Sequence, residues 1–406
     1  MDIYALRTYN RKYNQFEMMF FLYMTVMLAH YTVPYLKFIL FIGCIALTAI
    51  SMYRKKISKI AAKNILMVAA WYGVFSIWVV LSKKWSYVQR PDSDIPSTMI
   101  RILLISICIA YHITSSGKVI KYLDIFVNAT TYFIIVYVLS SPVSTWGSTS
   151  MGGITHQWRN FAGHIAAVAV IVAYGLYILL KKKRYIVFSM INVMGTVLTG
   201  SRAALIAIGV LIVIYLLLDK NITKKTRNIC IGVFVLLIVA YILFTNEYLY
   251  SIYGSRLEAI FTSSVKDASR DDRAMYKTLG ITMFLQKPIL GWGMDNFSYY
   301  LKYVTGYSQE VYSHCNYVEI LSCYGAIGFV VYYLVYLRQF VKLFHFRKDG
   351  VLTKICFVVL ARFIIFEYAT ITFSVYTYVF LLTIIFCGIN VIIKDHDQKR
   401  KFNESE

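Results

Sequence analysis

The chain has 406 residues, of which 59% are hydrophobic, 17% aromatic and only 15% charged; a soluble domain carries about 25% charged residues. Its apolar residues are blocked into runs of roughly 15 to 20, the length a helix needs to cross the hydrocarbon of a bilayer. That excludes an ordinary soluble fold and predicts an all-α integral membrane protein. The net charge of +22 is compatible with nucleic acid, but its distribution argues for a membrane.

In chain order, residues 1–14 are polar and basic, and no small-residue cleavage site follows the first apolar run. The first helix is therefore expected to act as its own insertion signal. Twelve spans are predicted, at 16–32, 35–53, 64–82, 98–113, 120–140, 161–180, 185–199, 203–218, 229–245, 316–337, 351–367 and 373–393. Alternate connections collect most of the Lys and Arg, including "RKKISKIAAK" (54–63), "KKKR" (181–184), "DKNITKKTRN" (219–228) and the tail from Lys394. Short loops rich in Lys and Arg mark the cytoplasmic side. Both termini are thus expected inside, and the positive charge serves topology and anionic lipid rather than nucleic acid.

This gives membrane helices one to nine over 1–245, a large external loop over 246–315, helices ten to twelve over 316–393, and a cytoplasmic tail over 394–406. The external loop is neutral, with seven acidic and seven basic residues, and rich in aromatics. It is too apolar for a disordered linker and predicts a small helical cap. No internal repeat supports an inverted-repeat transporter. Five of the seven cysteines fall inside apolar runs with no CxxC or metal spacing, so packing is their expected role, and neither a metal nor a cofactor is called for.

Polar residues placed where they are costly mark the candidate site. The run "YIVFSMINVMGTVLTGSRAALIAIGVLIVIYLLL" (185–218) would make a helix of about 51 Å, too long for one span. It is expected to turn at Gly200 and hold Arg202 at the outer interface, either against an anion such as phosphate or snorkelling among headgroups. Before the sixth span, "THQWRNFAGH" supplies Arg159, with His156 and His164, as a further anion contact or a solvated helix start. In the large loop, "SRDDRAMYK" holds Arg270 and Arg273 at a helix start, as local ion partners or as a second phosphate contact. The turn "QKPILGWGMDNF" presents Trp292 as a candidate substrate contact. Arg101, Arg362 and Glu367 are expected to pair inside the bundle.

Finally, "SHCNYVEILSCYGAIGF" (313–329) places His314 at the edge of a span, with Asn316 and Glu319 on one helix face. A histidine there can take a proton from a hydroxyl, with Asn316 or Glu319 orienting it or a sugar; the alternative is an interfacial histidine above a helix cap. Gly325 and Gly328 are expected to permit close helix approach.

Taken in this order, "LTGSRAALIAIGVLIV" (198–213), "SRDDRAMYKTLGITMFLQKPILGWGMDNF" (269–297) and "SHCNYVEILSCYGAIGF" (313–329) resemble the O-antigen polymerase and O-antigen ligase superfamily of bacterial inner-membrane glycosyltransferases, over roughly residues 155–335. The resemblance implies a metal-independent transfer of a glycan from an undecaprenyl pyrophosphate carrier to a sugar hydroxyl, on the outer face of the cytoplasmic membrane, building capsular or O-antigen type polysaccharide. It matches His314 to the family's histidine at the loop end, Arg202 to the arginine of Ser-Arg, and Arg273, with Arg270 as competing register, to the arginine of the loop helix. Arg159 carries over less fully, because the Pro-Asn pair usual in that stretch is missing. Implied partners are the lipid-linked donor and acceptor and the bilayer, with a flippase and a chain-length regulator as further candidates. Ligation to a different final acceptor is the alternative within the superfamily. A lipid-linked oligosaccharide flippase is the rival from another class, and it predicts charges at the midplane rather than at the outer side.

Overall fold

A computed structural model describes residues 6–7, 9, 12–29, 34–90, 93–148, 150–218, 241, 244–247, 250–254, 258, 268–307 and 310–403. The described residues form helices and connecting turns: α1 Gln15–Leu28, α2 Pro34–Arg54, α3 Lys59–Trp85, α4 Ile95–His112, α5 Ser116–Ser140, α6 Arg159–Leu180, α7 Arg184–Leu198, α8 Arg202–Leu217, α9 Ala268–Gln286, α10 Phe297–Thr305, α11 Asn316–Phe346, α12 Val351–Phe366 and α13 Tyr376–Asn403. Eleven of the predicted spans coincide with α1 to α8 and α11 to α13. The twelfth, at 229–245, lies almost wholly outside the described residues, as does much of the first half of the large loop. Among the described residues, seven helices are long and apolar enough to cross a membrane: α2, α3, α4, α5, α6, α11 and the first part of α13.

The ends of these helices follow from local sequence. Asn14 caps α1, its side chain accepting from the Glu17 N–H while the Glu17 carboxylate accepts from the Asn14 N–H, both at 2.8 Å; this reciprocal pair satisfies two donors the first turn leaves open. Ser58 caps α3 and Ser115 caps α5 in the same way with one side-chain acceptor. Helices α6 and α13 run through the middle of the bundle and α2 along its rim, as their burial records.

One feature of the packing was not anticipated. Gly325, read as a contact point between straight helices, breaks α11: its φ is +67° and its ψ −171°. A break leaves backbone groups without helical partners, and each costs several kcal/mol in hydrocarbon. Here the turn 288–293 supplies them. The Ala326 N–H donates to the Pro288 carbonyl at 2.8 Å, while the N–H groups of Trp292 and Gly293 donate to the carbonyls of Ser322 (2.9 Å) and Cys323 (2.8 Å). The approach is backbone on backbone. A Cβ on Gly325 would lie 2.2 Å from the Ile289 oxygen, and one on Gly291 would lie 2.5 Å from the Cys323 carbonyl. The residues beyond the break, 326–346, still make a helix of about 31 Å, enough to cross a bilayer. The turn before it thus belongs to the same layer as α9, α10 and the segment that follows α3.

That layer is tied across by long-range bonds. Trp85 Nε1 donates to the Leu290 carbonyl at 3.1 Å and Trp78 Nε1 to the Tyr324 carbonyl at 3.0 Å. The Val88 N–H donates to Asn296 Oδ1 at 2.9 Å, and Arg90 pairs with Glu310 at 2.6 Å. The described second half of the loop is thereby held as part of the fold rather than as a tether.

Candidate functional site

A cavity of about 520 Å³ opens where the first turns of four helices, α4, α6, α8 and α13, converge, and the turn that precedes α11 closes one side of it. The start of a helix presents backbone N–H groups without helical partners and about half a positive charge. Several such ends aimed at one space favour an anion there.

Arginines stand at two of these ends. Arg202 is the first residue of α8 and Arg159 the first of α6. The chain reaches Arg202 through Gly200, whose φ of +65° reverses the backbone between α7 and α8, the turn predicted between two short helices. A guanidinium N–H of Arg159 donates to the Gly147 carbonyl, and the Gly147 N–H donates to the Leu198 carbonyl at 2.9 Å. The loop before α6 is thereby latched to the turn before α8, and both arginines line the cavity. Arg273, from α9, lines it from the covering layer. Among the described residues Arg273 makes neither an ion pair nor a hydrogen bond.

His314 lies on the same wall. Its φ is +55°, a left-handed conformation that costs a non-glycine residue about 1 kcal/mol or more. Two rings pack the imidazole, Tyr312 with its centroid at 4.1 Å and Tyr276 nearly parallel at 6.1 Å. Glu319 fixes the turn from below: its buried carboxylate accepts the Ser313 N–H at 2.8 Å, and Ser313 Oγ donates to the Cys315 carbonyl at 2.9 Å. Burial, and after it the charges of Arg273 and Lys277, push the His314 imidazole down to about 4. It is therefore neutral at ordinary pH and able to accept a proton, though only weakly while its neighbours stay uncompensated. Asp94, Asp295 and Glu319 also border the cavity, but Asp295 lies 3.7 Å from Arg90 and Glu319 is committed to the Ser313 turn.

The structure gathers His314, Arg202, Arg159, Arg273 and Glu319 around one space. Arg270 is in the first turn of α9, its side chain outside what is described. Two other candidates point elsewhere. Asn316 is fully buried beneath the site: its Nδ2 donates to the Tyr333 hydroxyl at 2.7 Å and its Oδ1 accepts from the N–H groups of Thr372 (2.9 Å) and Phe373 (3.2 Å). It pins the start of α11 to the segment between α12 and α13. Trp292 faces the covering layer, with Nε1 donating to the Met283 carbonyl at 2.8 Å and its ring against Tyr300 at 4.9 Å. The expected pairing of Arg362 with Glu367 is also absent. Glu367 instead accepts from Tyr333 (2.6 Å), Tyr336 (2.8 Å) and Thr372 (2.5 Å), and Arg101 turns back on its own helix to Ser97.

Sequence reasoning missed the opposite wall, residues 369–378, and Gln157 and Tyr312 beside the arginines. The stretch "ATITFSVYTY" does carry a signal, alternating hydroxyls and aromatics at the start of a span. The same pattern serves equally for anchoring at a membrane surface.

Residues 187–333 match the family model described as O-Antigen ligase. The match covers α7, α8, the described part of the large loop and the first half of α11, with Arg202, Arg273 and His314 inside it, and it assigns this region to the O-antigen ligase and polymerase superfamily. Over that third of its length the chain is similar to O-antigen polymerase and ligase-type enzymes, and its long apolar helices fit a multi-pass membrane protein. No curated protein matches it.

Proposed function

We propose, with that superfamily as premise, that the protein polymerises oligosaccharide repeat units carried on undecaprenyl pyrophosphate, on the outer face of the bacterial cytoplasmic membrane. The observation that carries the reading is the meeting of three arginines, several helix starts and the neutral His314 at one cavity. In this reading the cavity end of the bundle faces outside, with twelve spans, both termini inside and residues 246–315 as an external cap; the alternation of basic loops supports it.

In the reaction, an acceptor sugar hydroxyl attacks the anomeric carbon of the donor glycan. The new C–O bond forms as the bond from that carbon to the phosphate oxygen breaks, and its electron pair leaves with the lipid pyrophosphate. Arg202 and Arg273, with Arg159, hold the pyrophosphate and stabilise the charge it gains; fixed positive groups aimed at developing charge are worth about 10² to 10³ in rate each. This chemistry calls on no metal. His314 takes the hydroxyl proton, and its weak basicity in the empty site suits this sequence of events. A bound pyrophosphate neutralises the arginine charge that holds the imidazole down, so its proton affinity rises when a donor is present. Glu319 holds the turn that presents it.

If His314→Ala and Arg202→Ala proteins, normally inserted, still lengthen carrier-linked glycans in vitro, the reading fails. A second reading has the match to the O-antigen ligase family in its favour: the same step with a different final acceptor. Deleting the gene separates the two, since single repeat units left on lipid mean polymerase and long carrier-linked chains mean ligase.

A further inference from the structure

Beneath the cavity, one turn inside α12, lies Arg362. It is fully buried, and none of its three guanidinium nitrogens has a hydrogen-bond partner among the described residues. Its guanidinium lies against aromatic faces, 4.9 Å from the ring centroids of Phe363 and Tyr378, and within the electrostatic reach of Glu367. Glu367, the nearest acid along the helix, is taken by other donors and makes no ion pair with it. An arginine at such depth is tolerated when it faces water, an anion or a carboxylate.

The wall between Arg362 and the cavity is unsatisfied as well. His164 Nδ1, the Tyr378 hydroxyl and Thr377 Oγ1 are buried without a hydrogen-bond partner among the described residues, and all three residues line the cavity. His164 lies within the electrostatic reach of both Arg273 and Arg362. Unfilled polar capacity in a folded interior clusters where something else is bound.

We infer that Arg362 is a buried member of the pyrophosphate site, a cation whose counter-charge is brought by the substrate. It acts through the wall formed by His164 and Tyr378, drawing a pyrophosphate towards the floor of the cavity. In so dry a place its field is poorly screened. It is a positioning residue for the leaving group, and the inference rests on the transfer reaction proposed above.

The test uses the full-length protein in lipid nanodiscs and inorganic pyrophosphate as probe, measuring affinity and thermal midpoint for wild type, Arg362→Met and Arg362→Lys. Removing an uncompensated buried charge is expected to leave the ligand-free midpoint of Arg362→Met unchanged or higher. Its pyrophosphate affinity falls at least about tenfold, as loss of a poorly screened charge partner does, and the stabilisation that pyrophosphate gives is lost. Arg362→Lys, which keeps the charge, retains affinity within about threefold. An Arg362→Met protein that melts lower or fails to insert, with unchanged affinity where it can be measured, makes the arginine structural and overturns the inference. So does a folded Arg362→Lys protein that no longer binds. If wild type itself binds no pyrophosphate, the transfer reading is what fails.

Discussion

Two polar regions at opposite ends of the helix bundle handle charge in opposite ways. At the end where α1, α5 and α7 begin, Glu17 is fully buried yet pairs with Lys118 and, at 3.1 Å, with Lys121. Asp124 accepts from Arg184, Tyr13, Tyr185 and Asn128, each at 2.8 Å. Each buried carboxylate there has its cation, and the network ties three helix starts together. At the cavity end, Arg273 and Arg362 have no ion-pair partner among the described residues, while Glu319 is spent on holding a turn and Asp295 lies by Arg90. The same chain builds saturated charge at one end and leaves charge unsaturated at the proposed ligand site. The imbalance is local, which makes it a property of the site and not of a basic protein at large.

The comparison breaks most visibly if His314 is replaced. His314→Ala is expected to lower glycan transfer by about 10² to 10⁴, the usual worth of a positioned base, with the melting temperature unchanged. An equal loss of fold would move this residue to the structural side. Glu17→Ala is the converse experiment. It strands the buried Lys121 and is expected to cost about 3 to 5 kcal/mol of stability, while protein that still inserts keeps its turnover. Reduced turnover at normal stability would dissolve the distinction.

Two smaller effects sharpen it. In wild type, kcat/KM should fall as pH drops through about 4, where His314 of the free enzyme takes its proton. Arg273→Met removes a charge that disfavours that proton, so the acid limb moves to higher pH; an unmoved limb would mean the arginine does not act on the histidine. In the donor complex of wild type, the acid limb of kcat should likewise lie above that of kcat/KM. The least effect is expected of Glu319→Gln, which keeps an oxygen for the Ser313 N–H and should lose less than about tenfold in kcat. Glu319→Leu should lose more, and equality of the two variants would deny the carboxylate its part in holding the turn.

Much of this was legible because membranes make polar residues expensive. Arg202, Arg159 and His314 stood out at the edges of apolar runs, and the basic loops ordered the helices so that these edges fell together. What was not legible depended on three-dimensional neighbours. Asn316 shares the helix face of Glu319, but its amide turns to Tyr333 and Thr372, 17 and 56 residues further along the chain. Trp292 stands in a glycine turn that looked open to a ligand and is filled by another stretch of backbone. Gly325 carries the same letters as a glycine in any helix contact, and its break exists only because the turn at 288–293 completes it. Arg362 could be seen in the sequence, but its lack of a partner could not.

That completed break has a bearing on how the protein can be made and remade. The turn at 288–293 precedes α11 in synthesis, so with the proposed topology it has to cross the membrane before residues 316–346 insert; otherwise the broken segment enters lipid with bare peptide groups. Cap and span therefore mature as a unit. For anyone building chimaeras between related chains, the transferable block is not the loop between α8 and α11 by itself. It runs from the loop through the far side of Gly325, and a graft cut at the apparent membrane boundary would divide it.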